Sequence, residues 1–158
     1  MLIGKLELFN TKILKDFFEI TKSRLSISVV FSSITGYLLA TEIIDTLHLL
    51  YLFLGGFCMV GASNTLNQVI ERDYDAIMKR TQNRPIPKGR ISISTALIIS
   101  LIMIVLGFYL LNKLNLKTAF FSFFSILIYV SIYTPLKTIT PLSVFIGAFP
   151  GAIPFMLG

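Results

Sequence analysis

Residues 67–84 read N-Q-V-I-E-R-D-Y-D-A-I-M-K-R-T-Q-N-R and follow directly on a long apolar run. Three acids, Glu71, Asp73 and Asp75, stand beside Arg72, Lys79, Arg80 and Arg84. Charge of that density at the edge of an apolar segment is costly unless something binds it. Asn67, Glu71 and Asp75 are spaced i, i+4, i+8, so on an α-helix they stay within one stripe that drifts by about 40° per step. Asn64 falls on the same stripe, and Asp73 falls nearly opposite Glu71 and Asp75. The stripe is a wall of hard oxygen donors: an amide, then two carboxylates. Mg²⁺ takes such ligands, commonly one or two carboxylates plus substrate phosphates. Lys79, Arg80 and Arg84 can reach phosphate oxygens through charge-assisted hydrogen bonds. The spacing therefore predicts Mg²⁺ on Asn67, Glu71 and Asp75 and a polyanion on the bases. Pro85 and Pro87 are expected to end the helix and Gly89 to allow a turn. A plainer reading stays open for the bases, as loop charges that only orient the chain. It stays open too for Asp73, which can support the metal ligands from behind or pair with Lys79 or Arg72.

A smaller cluster, Tyr133, Thr134, Pro135 and Lys137, closes a later apolar run. Lys137 could add a phosphate contact and Tyr133 a hydrogen bond to a charged intermediate. An interfacial tyrosine and an orienting lysine account for the pair equally well. His48 invites thought of an axial haem ligand, but a lone interfacial histidine is ordinarily only that. Cys58 lies inside an apolar run and has no second cysteine to pair with. With Gly55, Gly56, Gly61, Ala62 and Ser63 it reads as close helix packing. The 14 phenylalanines read as lipid-facing or core residues, some of which could line an isoprenoid slot.

The elements that must hold these residues are membrane helices. Of 158 residues, 54% are hydrophobic and only 14% charged, where a soluble domain would carry about 25% charged residues. The net charge of +6 does not mark a nucleic-acid binder, because the bases fall between apolar runs rather than along one soluble face. Apolar runs cover 25–41, 47–69, 91–111 and 116–133, and a fifth begins near Pro141 and is still apolar at Gly158. Each complete run is close to the ~20 residues that cross ~30 Å of hydrocarbon as a helix. Residues 1–24 alternate apolar and charged side chains (Leu2, Ile3, Leu6, Leu8, Phe9, Ile13, Leu14, Phe17, Phe18) and predict an amphipathic lead-in on the membrane surface. Too many charges lie there for a cleavable signal peptide. The expected plan is all-α: a surface segment over 1–24 and a multi-pass helical bundle over 25–158, with a motif loop over 67–90. Threading the chain in-out-in-out-in puts twelve bases inside and two outside, so the N-terminus and the motif loop are expected to be cytoplasmic. The apolar, Gly/Pro-broken end G-A-F-P-G-A-I-P-F-M-L-G suggests a chain that continues, with about five helices of a larger bundle present.

The pattern N-x-x-x-E-x-D-x-D followed by M-K-R-T-x-x-R-P resembles the first aspartate-rich motif of the UbiA superfamily of intramembrane prenyltransferases. Within it, the run 64–91, the Y-T-P-L-K stretch and the apolar end look most like the branch that farnesylates haem B. The resemblance covers nearly the whole chain from Lys22 onward. It implies a helical bundle with two aspartate-rich motifs facing a central cavity. It implies Mg²⁺ held by Asn67, Glu71 and Asp75 on farnesyl diphosphate, with Arg80, Arg84 and Lys137 near the phosphates. It also implies haem B as the acceptor and haem O as the product, a place in the cell (inner) membrane, and contact with haem A synthase or a terminal oxidase assembly. Two departures stand out: no acid follows Asp75, and Thr138 stands where the family commonly has arginine. With only one acidic wall, residues 1–158 alone are expected to be inactive. The diphosphate half of such a site is shared with relatives that prenylate aromatic quinone precursors. The same acids would also suit a non-catalytic membrane protein whose loop binds ions.

Overall fold

Polar residues at the run boundaries start the helices. Asp45, Ser92 and Asn115 each stand just before an apolar run, and each accepts a backbone N–H from the first turn, of Leu47, Thr95 and Thr118 respectively. Such caps satisfy donors that a helix start would otherwise leave unpaired. In a computed structural model the backbone is described over residues 2–158 and the side chains from Thr11 onward. The expectations for Leu2, Ile3, Leu6, Leu8 and Phe9 lie outside the described side chains.

The order is α1 (Leu2–Ile20), α2 (Ser23–Ala40), α3 (Thr46–Ile70), α4 (Arg72–Ile77), α5 (Ile93–Asn112) and α6 (Leu116–Leu127). Helix α6 runs on through a π-helical stretch, Ile128–Tyr133, into the short α7 (Thr134–Leu136), and α8 (Ser143–Leu157) follows. The predicted all-α bundle is what forms. Four helical spans, Ser23–Ala40, Thr46–Ile70, Ile93–Asn112 and Leu116–Leu136, are long and apolar enough to cross a membrane, and the chain is a multi-pass membrane protein. Their outer faces carry large apolar side chains such as Phe31, Leu101, Val105 and Phe124, all more than half exposed. Water would not tolerate that surface and lipid would.

Leu52 and Met59 of α3, Leu111 of α5, and Ala119 and Ile126 of α6 form the buried core. Small residues let α3 and α5 approach. A methyl group on Gly107 would lie 3.0 Å from the Gly55 carbonyl oxygen and 2.8 Å from Met59 Cγ, so the two backbones meet with almost no side chain between them.

Two sequence expectations need correction. The motif helix does not run to Pro85; it ends at Ile77, and Met78 is extended. The Asp75 carbonyl, which a continuing helix would offer to residue 79, instead accepts from Thr81 Oγ1 at 3.1 Å. Nor is the helix through Asn67, Glu71 and Asp75 regular. It breaks at Glu71, whose φ, ψ are −88°, 2°. The i, i+4 bonds Glu71 N–H to Asn67 O (3.0 Å) and Asp75 N–H to Glu71 O (2.8 Å) both persist across the break. The stripe therefore carries over from α3 to α4.

Candidate functional site

The end of α3, the start of α4 and the end of the α6–α7 span meet at one end of the bundle. Asn67 is 1% exposed and Asp75 4% exposed, a degree of burial that an acid and an amide reach only with partners. Asn67 Nδ2 donates to Glu71 Oε2 at 2.7 Å. Glu71 Oε1 forms an ion pair with Lys137 Nζ, and Arg84 Nη1 donates to Asp75 Oδ2 at 2.6 Å. The expected wall of Asn67, Glu71 and Asp75 is thus assembled, and two of the expected bases close on it. Lys137 also lies over the Tyr133 ring, 5.7 Å from its centroid, and Tyr133 stacks on Tyr129 at 5.0 Å.

Other expected residues stay apart. Lys79 and Arg80 are exposed and make no ion pair among the described residues. The early end of α4 accounts for this, because the chain leaves the stripe before it reaches them. Asp73, with its side chain 85% exposed, pairs with Arg72 at 3.4 Å and takes no part in the wall. Asn64 shares the stripe but donates to Ser26 Oγ at 3.3 Å, which ties α3 to α2. His48 meets Asp45 at 3.8 Å and the edge of Tyr37, as a surface histidine does.

Several residues in and around the site have partners that their positions in the sequence do not show. Thr134, 1% exposed, places its hydroxyl 2.9 Å from Asn67 Oδ1 and 2.8 Å from the Tyr129 carbonyl oxygen. Gln68, fully buried, donates to the carbonyls of Glu19 (3.2 Å) and Ile20 (2.9 Å). It thereby satisfies the last turn of α1, where carbonyls are otherwise left over. The chain then turns into α2 through Lys22 at φ +45°, the one described non-glycine residue with positive φ, a conformation that costs about 1–2 kcal/mol. The turn brings Lys22 toward Arg84, Glu71, Lys137 and Asp75. Burial, and next the Arg84 guanidinium, hold its ammonium below the ordinary lysine range, while Glu71 works the other way. The cluster thus holds three cations against two carboxylates, an excess that favours an added anion.

Arg90 fastens the turn-rich segment 78–90 in place. Its guanidinium bonds Asp16 Oδ1, Glu19 Oε2 (2.5 Å) and the Asn83 carbonyl (2.9 Å). Arg90→Ala, which removes all three bonds, is expected to speed amide hydrogen exchange across residues 78–90 at least about tenfold, since one charge-assisted bond alone is worth that much, with α3 unchanged.

Below the wall lies a cavity of about 200 Å³, lined by Val30, Met59, Ile126, Pro150 and Leu157 among others, and reached by Asn64 and Tyr129. Among the described residues no phenylalanine lines it. The donor set suits Mg²⁺ in kind, two carboxylates and an amide. No group of three or more His, Cys, Asp or Glu gathers among the described residues.

Comparison with known proteins places this geometry. The family model described as the UbiA prenyltransferase family matches residues 29–158. The chain is 60% identical over 149 residues to a protoheme IX farnesyltransferase of Christiangramia forsetii, covering 94% of this chain and 50% of that protein. It is 58% identical to a protoheme IX farnesyltransferase of Flavobacterium psychrophilum, covering 92% and 50%. Among solved structures, a digeranylgeranylglyceryl phosphate synthase superposes with a TM-score of 0.84 at 25% identity, over 91% of this chain and 51% of the other. A UbiA homologue from Archaeoglobus fulgidus bound to DMAPP and Mg²⁺ superposes with a TM-score of 0.80 at 16% identity, over 90% and 52%. The chain spans about half the length of the curated relatives it matches. With the helical order, the buried acid–amide stripe and the matched family model in agreement, the chain belongs to the UbiA prenyltransferase family.

Proposed function

We propose that the protein transfers a farnesyl group from farnesyl diphosphate to a vinyl carbon of haem B, giving haem O. The observation that carries the diphosphate part is the buried stripe Asn67–Glu71–Asp75 with Arg84 and Lys137 already paired to its carboxylates. The identity of 58–60% to two protoheme IX farnesyltransferases supports the acceptor. Asn67, Glu71 and Asp75 would hold Mg²⁺, as the DMAPP- and Mg²⁺-bound homologue of like fold encourages. When bound, the ion supplies neutralisation of charge on the departing diphosphate.

The chain's own residues do the rest. Arg84 and Lys137 can pass from carboxylate to diphosphate oxygens, exchanging one charge-assisted bond for another, and Lys22 adds a third cation. As the allylic C1–O bond breaks, its electron pair leaves with the diphosphate, and these fixed cations meet the growing charge. The vinyl π electrons of haem B form the new C–C bond. The cation left on the neighbouring carbon takes a water oxygen and loses a proton. The apolar cavity under the wall would take part of the prenyl chain and keep water from the allylic cation until the acceptor is in place. Lys79 and Arg80, exposed and outside the wall, are approach residues for the diphosphate in this reading. The base-rich end that holds the wall and α1 faces the cytoplasm of the inner membrane, by the excess of lysine and arginine there.

Radiolabelled farnesyl diphosphate, given to the purified full-length protein with haem B or with 4-hydroxybenzoate, tests the acceptor. Label is expected on haem B alone; transfer to 4-hydroxybenzoate instead would assign the protein to the quinone-precursor branch.

A further inference from the structure

Serine and threonine hydroxyls line the cavity below the wall without partners. Thr118, Ser122 and Ser125 are spaced i, i+4, i+7 on α6, which holds them within about 60° of helix arc. Ser33 of α2 and Ser63 of α3 line the same cavity. Among the described residues none of these hydroxyls makes a hydrogen bond. Hydroxyls elsewhere in the spans do: those of Ser28, Thr35 and Thr65 each bond back to the carbonyl four residues earlier, the ordinary resort of a hydroxyl on an apolar helix. Ser33, Thr118 and Ser122 are only 5%, 4% and 8% exposed. Yet their oxygens are not sealed in, for among the described residues the only partnerless side-chain atom closed off from water is Gln68 Oε1. The hydroxyls therefore open onto the cavity. Unpaired polar groups at membrane depth are costly. The space of about 200 Å³ beside them has room for several waters, at about 30 Å³ each in the liquid.

The stripe leads to the wall. Thr118 lies in the first turn of α6, and Tyr129, which also lines the cavity, lies about 16 Å further along at about 1.5 Å per residue. Tyr129 stacks on Tyr133, over whose ring Lys137 lies. The upper end of the stripe thus meets the residues that would hold the diphosphate.

We propose that these hydroxyls hold a file of waters, and that the water at its upper end supplies the hydroxyl oxygen of the product. The inference rests on the farnesyl-transfer reading. Val30 of α2 and Met59 of α3 leave an apolar side for the prenyl chain. Waters hydrogen-bonded to α6 stay on their own side while the allylic cation forms. The vinyl π pair then makes the C–C bond and leaves a cation on the neighbouring carbon. A lone pair of the uppermost water forms the C–O bond there, and the proton that oxygen sheds passes to the released diphosphate. Without a held water, the same cation gives up a proton from an adjacent carbon to the diphosphate and becomes an alkene, lighter by one water. Ser122 and Ser125 act through the water and are positioning residues.

The test is the ratio of alkene to hydroxylated product, read by mass spectrometry, when the full-length protein is given farnesyl diphosphate and haem B. Ser122→Ala/Ser125→Ala is expected to raise that ratio about tenfold, the worth of the hydrogen bonds lost to the water. Ser28→Ala removes a hydroxyl that serves only its own helix and should leave the ratio at the parent value. X-ray footprinting, in which radicals formed on bound waters mark the side chains beside them, gives a readout apart from activity. Met59 and Tyr129, which line the cavity, should be marked in the parent protein and lose the mark in the double variant. An unchanged ratio in the double variant, or no mark at Met59 and Tyr129 in the parent, would overturn the inference and leave farnesyl transfer standing. A parent protein that makes no farnesylated haem would overturn farnesyl transfer and the inference together.

Discussion

Glu71→Gln and Asp75→Asn, each introduced into the full-length protein, should lower the rate of farnesyl transfer by about 10²–10³-fold, the range for removing one preorganised electrostatic group. Both replacements keep the side-chain volume, and both leave an oxygen that can accept from Asn67 or Arg84. What they remove is the negative charge. Glu71 bonds Asn67 through one oxygen and Lys137 through the other, so its neutralisation also changes how the amide and the lysine are held. Membrane insertion is expected to be unchanged, since the outward apolar faces of the four spans are untouched. Full transfer by either variant, with the protein inserted, would sink the reading of these carboxylates as the metal–diphosphate wall; no transfer by the parent protein would favour an ion-binding membrane protein.

Arg84→Ala should be the most destabilising single change in the site. The Asp75 side chain is 5% exposed and its Oδ2 lies 2.6 Å from Arg84 Nη1. Removing the guanidinium leaves a buried carboxylate uncompensated, a loss that typically costs about 3–5 kcal/mol. The thermal midpoint in detergent should fall clearly, and Arg84→Lys should recover part of it, since an ammonium keeps the charge but not the planar guanidinium. The double variant Asp75→Asn/Arg84→Ala separates stability from function. With no buried charge left unpaired, its midpoint should return toward the parent value while transfer stays lost. A double variant no more stable than Arg84→Ala alone would mean that the pair does not set the stability of this region.

The bundle was largely legible in the sequence because hydrocarbon imposes a simple rule: long apolar runs become helices, and polar residues mark their ends. Runs over 47–69 and 91–111 correspond to Thr46–Ile70 and Ile93–Asn112 within two residues at each boundary. The stripe was legible for a similar reason, since i, i+4 spacing survives the kink at Glu71. What spacing could not convey was decided by distant partners. Lys79 and Arg80 seemed as good as Arg84, yet only Arg84 meets Asp75, because Thr81 stops α4 and the chain folds back. Lys22, 49 residues before Glu71 in the chain, counted as an orienting base. Its place beside the wall depends on Gln68 holding the end of α1 and on a left-handed turn that no local pattern announces. Arg90 counted likewise as an orienting charge, whereas its partners Asp16 and Glu19 lie more than 70 residues away. The bond of Thr134 to Asn67 depends on the π-helical register before it, which apolar periodicity does not distinguish from an ordinary helix.

The central claim is that Asn67, Glu71 and Asp75, with Arg84 and Lys137, form one wall of a metal–diphosphate site. Equilibrium binding of a non-hydrolysable farnesyl diphosphate analogue to the purified full-length protein, with Mg²⁺ and with EDTA, tests it most directly. The account predicts saturable binding that needs Mg²⁺ and is lost in the Glu71→Gln/Asp75→Asn variant. Binding of equal strength in EDTA, or in that variant, would contradict it.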